Sequence, residues 1–145
     1  MNYEVIIDNN ILDKYEEYYF TIHPRAKKRP FINPYHESIN AWMIKRRPAM
    51  NALKQKWKDF IKWLVEYYGY SELHIDKCEV SQTVYYKSAR RHDIDNSVPK
   101  FILDGLVDSG MIADDDYKHI TKLTLECGVD IDNPRTIINV KVLDE

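Results

Sequence analysis

Cysteine is scarce in this chain, with two in 145 residues, Cys78 and Cys127. They lack CxxC spacing, which argues against a zinc site. Both fall in β-like runs, so reduced thiols in a cytosolic core are the expectation. Long apolar runs are missing too, and none approaches the ~20 residues that span a bilayer. The opening segment MNYEVIIDNNILDKYEEYY has no basic stretch followed by an apolar one. No secretion signal is therefore expected, and the expected location is cytoplasmic. No repeat, low-complexity tract or linker stands out. Residues 1–145 are 44% hydrophobic and fit one domain with its own core.

Net charge is small as well, at -2, which argues against a simple basic nucleic-acid binder. The average hides a split. Residues 25–62 hold eleven Lys and Arg against two acids, Glu37 and Asp59, a surplus of nine positive charges. Residues 93–116 hold seven Asp against one Lys, a surplus of six negative charges. A basic segment can follow phosphates while an acidic centre holds a metal. The plainer alternative is that each segment is a solvated face.

Local patterns predict the elements. NYEVIID, residues 2–8, reads as a strand, and residues 9–20 are polar and aromatic without a clear period. Residues 23–38 carry three prolines and read as an extended loop or edge strand. From Pro48 to Tyr68 apolar residues recur at three- and four-residue steps, with Lys54, Lys58 and Lys62 on another face, so a helix is predicted. Pro48 suits its first turn and Gly69 its end. Alternation over 77–87 predicts a strand. Residues 97–110 predict a second helix, with Asp95 or Asn96 as N-cap, Pro99 in the first turn and Gly110 as C-cap. Residues 119–129 and 135–145 predict two strands joined by DIDNP as a C-terminal hairpin. The order is that of an α+β domain, a mixed sheet packed on two main helices.

The acidic segment carries the chemistry. Asp93 and Asp95 are spaced i, i+2, which on an extended strand puts both carboxylates on one side. Asp114, Asp115 and Asp116 follow after one helix, long enough to return beside the first pair. Oxygen-only ligands suit Mg²⁺, with Mn²⁺ as a substitute. A calcium loop of the EF-hand type fails, because counting from Asp93 its fifth, sixth and twelfth positions are Ser97, Val98 and Asp104. Lys100 and Asp104, spaced i, i+4, form either a surface ion pair or a cation aimed at the metal. The roles of His23, His36, His74, His92 and His119 are open.

Residues 90–117 resemble the RusA family of Holliday junction resolvases, which are crossover junction endodeoxyribonucleases. The matching features are RR at 90–91, DIDN at 93–96, Lys100, Asp104, Gly110 and MIADDD at 111–116. KKRPFI followed by a basic helix is similar to the family's N-terminal segment. In the family pattern the lysine follows the asparagine by three residues; here Pro99 takes that place and Lys100 comes next. The resemblance implies a RusA-like endonuclease domain over the whole chain. It implies Mg²⁺ held by Asp93, Asp95 and Asp115, with Asp114 as a possible extra ligand, and Lys100 as a catalytic cation. Lys28, Arg29, Lys45, Arg46, Arg47, Arg90 and Arg91 are the candidates to hold DNA. The implied protein is a homodimer, often of prophage origin, that cuts four-way DNA junctions symmetrically in recombination and repair. The alternatives are a nuclease for flaps or forks and a DNA-binding relative without catalysis. The aromatic runs YEEYYF and EYYGY are candidate dimer surface or core.

Overall fold

The computed structural model describes residues 1–143. The elements are β1 (Asn2–Asp8), α1 (Asn9–Ile22), α2 (Ile39–Trp42), α3 (Arg47–Tyr68), β2 (Cys78–Tyr86), a 3₁₀ turn (Ile94–Ser97), α4 (Lys100–Asp108), β3 (Ile120–Val129) and β4 (Arg135–Val142). They form a small single α+β domain around one mixed four-stranded sheet of order β1-β4-β2-β3. The end of the C-terminal strand predicted over 135–145 lies outside the described residues. Among those described, no helix is long and apolar enough to cross a membrane.

Two predictions are corrected by this topology. Residues 9–22 form a helix rather than an irregular segment. The Asp8 carboxylate caps it, accepting from the Ile11 backbone N–H at 2.8 Å, which satisfies one of the donors that a helix N-terminus leaves free. Ile11, Leu12 and Tyr15 are its buried positions. The predicted β3–β4 hairpin is also absent, because β2 lies between the two strands. β2 pairs parallel with β3 and antiparallel with β4. Every second residue of β2 is buried and the others are half-buried, as alternation between a core face and a partly covered face requires. The short 130–134 link then only has to pass the end of β2. It does so with the Asp130 N–H donating to the Tyr86 carbonyl at 3.0 Å. Two strand spacings amount to about 10 Å, within reach of five residues.

The core lies on one face of the sheet. Val5, Ile7, Val80, Ile138 and Val140 meet Leu53, Trp57, Phe60, Ile61 and Leu64 of α3, and Phe101, Ile102 and Leu106 of α4. α3 runs from Arg47 with proline in its first turn to Gly69, as the sequence predicts. Of the aromatic runs, Tyr15 is core, and Tyr19, Tyr68 and Tyr70 pack half-buried against it. Tyr15 is 4.9 Å from Phe60 and 5.3 Å from Trp63, while Tyr18 and Tyr67 stay about half exposed. α3 and α4 touch closely at Gly105, where an added β-carbon would lie 2.7 Å from that of Ile61. Gly110 follows α4 at φ +88°, and a β-carbon there would lie 2.3 Å from the Ser71 carbonyl. Both contacts require glycine.

Candidate metal centre and nucleic-acid interface

Two loops meet on the helix-covered face, and buried polar side chains pin them there. Such side chains are retained where they find hydrogen-bond partners. Gln82, fully buried on β2, donates through Nε2 to the Ser97 carbonyl at 2.8 Å. The Ser97 hydroxyl donates to the Ile94 carbonyl at 2.6 Å and closes the 3₁₀ turn. Thr136, fully buried on β4, donates to the Pro34 carbonyl at 2.7 Å. The acidic turn therefore hangs from β2 and the basic loop from β4.

His36 joins the two. Its Nδ1 lies 2.7 Å from the Glu37 carbonyl, and its Nε2 accepts from the Phe101 backbone N–H at 3.0 Å. The carbonyl can only accept, and the Phe101 N–H can only donate, so the ring is neutral with its proton on Nδ1. Burial pushes its pKa down from the usual histidine value. Trp57 stacks on it at 5.3 Å and Phe101 at 5.0 Å. His36 thus caps the first turn of α4, where Pro99 offers no side-chain cap.

That start differs from the sequence expectation. α4 begins at Lys100, not at residue 97, and neither Asp95 nor Asn96 caps it. β2 ends at Tyr86, so Asp93 and Asp95 are not on a strand. Asp93 is extended, Asp95 lies inside the 3₁₀ turn, and strand alternation does not place them side by side. Both are exposed. Asp93 pairs with Arg91 at 3.2 Å.

The return path through α4 brings a different set together. Lys100 Nζ is 3.0 Å from the Asp104 carboxylate, and Asp104 lies close enough to Asp115 to act on its titration. Loss of solvent and the Asp104 contact hold the Asp115 carboxyl above the usual carboxylate range, with Lys100 pulling the other way. Asp114 folds over its own neighbour, accepting from the Asp115 N–H at 2.7 Å. Asp114, Asp116 and His119 form a group whose ligand atoms all lie within 4.8 Å of one another, and this cluster can hold a metal ion. Among the described residues it is the only such group of three; Asp93, Asp95 and Asp115 do not form one. His119 Nδ1 is 2.7 Å from Asp116, a contact that raises the histidine pKa and lowers that of the aspartate.

The basic candidates divide into paired and unpaired. Arg29 is bound to α1 through Asp13 and Glu16, each at 3.2 Å, so it is committed to the fold. Lys28, Lys45, Arg46, Arg47 and Arg90 are exposed and make no ion pair among the described residues. Arg46 and Arg47 sit at the N-terminus of α3, where the cap residue provides no side-chain bond and the first turn has no acid. Cations there oppose the helix dipole, and an anion would relieve the conflict.

Sequence reasoning missed three contributors. Asp104 is a contact of Asp115 as well as an ion-pair partner of Lys100. His119 had a signal, since it lies three residues after Asp116. His36 had none, because its partner Phe101 is 65 residues away. No protein-family model matches the chain, and no curated protein is similar to it in sequence.

Proposed function

We propose that the chain is a divalent-metal-dependent endodeoxyribonuclease of the RusA kind that resolves four-way DNA junctions. The observation that carries this reading is the approach of Lys100, Asp104 and Asp115 around α4, with Asp95 in the 3₁₀ turn and Asp93 just before it, held to β2 through Gln82. Carboxylates in contact repel one another unless a cation or a proton lies between them. Asp93, Asp95, Asp114 and Asp115 offer oxygen alone, the donor type that Mg²⁺ or Mn²⁺ prefers. Asp116 and His119 extend the same loop's capacity for an ion.

In this reading Asp93, Asp95 and Asp115 would hold the ion, which requires the exposed acidic turn to close on Asp115, since the three do not form a ligand group as they stand. When bound, the ion polarises a phosphate oxygen and acidifies a water to supply the nucleophile. The Lys100 ammonium offsets charge developing on the phosphorus centre, as fixed cations do in phosphoryl transfer. Lys28, Lys45, Arg46, Arg47 and Arg90 grip backbone phosphates, and Arg91 does so at the edge of the acidic turn. Phosphate contacts position DNA without reading its sequence. Junction choice then comes from shape, with a homodimer presenting two sites to two strands.

The test is a labelled synthetic four-way junction incubated with protein and Mg²⁺, or with EDTA. Paired symmetric nicks that EDTA abolishes are expected. An intact junction in both Mg²⁺ and Mn²⁺ would refute catalysis, and preferential cutting of flaps would replace the junction with another branched substrate.

A further inference from the structure

A cavity of about 740 Å³ lies between the basic loop and the acidic turn, with Asp93 and Asn96 in its lining. It falls within the ~300–1,000 Å³ range of small-ligand sites and is too small for a duplex. One wall is aromatic. His92 lies flat on Tyr86, with ring centres 3.6 Å apart and planes 4° apart, and Tyr35 meets Tyr86 edge-on at 4.9 Å. Tyr86 is buried, whereas His92 is exposed, so the stack ends in a ring open to a further planar partner. The lining is charged as well, with Lys56 and Arg91 set against Glu37 and Asp93, and Arg91 already pairs with Asp93 at 3.2 Å. Lys56 is half-buried, with its ammonium 4.5 Å over the Phe31 ring. Burial lowers its pKa, and nearby Lys45 lowers it further, while Glu37 opposes them. Arg91, on the acidic turn, adds a guanidinium. Polar reading groups are present too. Lys87 donates to Asn33 Oδ1 at 2.9 Å, which leaves the Asn33 amide N–H groups to point elsewhere.

A flat aromatic stack, a half-buried lysine with an exposed arginine, and an oriented amide in one cavity match the three parts of a nucleotide: base face, phosphate and base edge. We propose that this cavity receives one unstacked nucleotide of a DNA strand, with its base on the His92–Tyr86 stack and its phosphate between Lys56 and Arg91. The assignment rests on the reading that the chain acts on DNA, and it places an unpaired strand end or branch-point base beside the acidic turn. Stacking on an aromatic ring accepts every base, so the site confers a preference for unpaired DNA before any preference for sequence.

The experiment measures fluorescence anisotropy of a labelled short oligothymidylate in EDTA, so that no metal takes part. A matched strand of the same length is abasic throughout, so that no base can slide into the cavity. The intact strand should bind about tenfold more tightly than the abasic one, the range that one base stack supplies. His92→Ala should remove that difference while keeping the wild-type urea midpoint. Lys56→Met should weaken both strands alike. Equal binding of intact and abasic strands to the wild-type protein would overturn the proposal. So would displacement by micromolar thymidine monophosphate, which would assign the cavity to a free nucleotide. Absence of binding to either strand would overturn the DNA reading itself. A junction cut normally by His92→Ala, with no abasic effect, would sink the cavity assignment alone.

Discussion

Replacing His36 with leucine should loosen the joint between the basic loop and α4. Leucine fills most of the space between Trp57 and Phe101 but offers no acceptor. The Phe101 N–H, now 3.0 Å from Nε2, would be left buried and unpaired, at a cost of about 1–3 kcal/mol. Losing the stacked aromatic contacts adds roughly 0.5–1.5 kcal/mol. No longer burying a polar ring offsets part of this, so a net loss of about 2 kcal/mol is expected. His36→Gln, which can still accept, should recover part of it. Urea unfolding followed by circular dichroism at pH 8 reads the difference. The pH dependence gives a second readout. The folded pKa of His36 is depressed, so the unfolded state binds the extra proton below the ordinary value of 6.5. Its contribution is fully present above 6.5 and is lost as pH falls toward the folded pKa. The wild-type advantage over His36→Leu should therefore shrink between pH 8 and pH 5. A loss under about 0.5 kcal/mol, or an advantage that grows on acidification, would refute the capping role.

Other outcomes follow from the same geometry. Gly105→Ala drives a methyl to 2.7 Å from the Ile61 β-carbon and should cost about 1–3 kcal/mol in the same urea assay. Asp116→Asn combined with His119→Ala removes two of the three ligands already clustered; Mn²⁺ affinity by calorimetry should stay within about twofold of wild type if Asp93, Asp95 and Asp115 hold the ion, and a large loss would move the ion to the Asp114–Asp116–His119 group. Junction binding should fall with salt by about 0.9 log units per log unit of salt for each phosphate neutralised. Arg46→Ala with Arg47→Ala should flatten that slope, and an unchanged slope would leave the N-terminus of α3 a solvated face.

The parts of the fold legible in the sequence are those with short-range causes. α3 shows its period in Leu53, Trp57, Phe60, Ile61 and Leu64, and β2 alternates from Cys78 to Tyr86. α1 was illegible because its three buried side chains, Ile11, Leu12 and Tyr15, make too short a stripe; the helix is held instead by the Asp8 cap and by aromatic contacts with α3. Strand order was illegible because DIDNP looks like a hairpin turn. Only the full pairing of β2 on both edges shows that it must pass over that strand. In the candidate site, the density of aspartate was legible from the sequence, but which acids cluster was not. Which acids meet depended on where α4 starts, and that is set by His36, Gln82 and Thr136. Their partners lie 65, 15 and 102 residues away, and nothing in the local pattern announces them.

The central claim is that carboxylates of the acidic turn hold the ion that cuts DNA. Asp95→Asn on a labelled four-way junction tests it most directly, with binding and cleavage measured on the same sample. Asp95 is exposed, so its replacement should leave the fold intact. The account predicts that Mg²⁺-dependent cleavage is abolished while junction binding is kept or strengthened, since a ligand and a phosphate-repelling charge are both removed. Normal turnover by Asp95→Asn would contradict it.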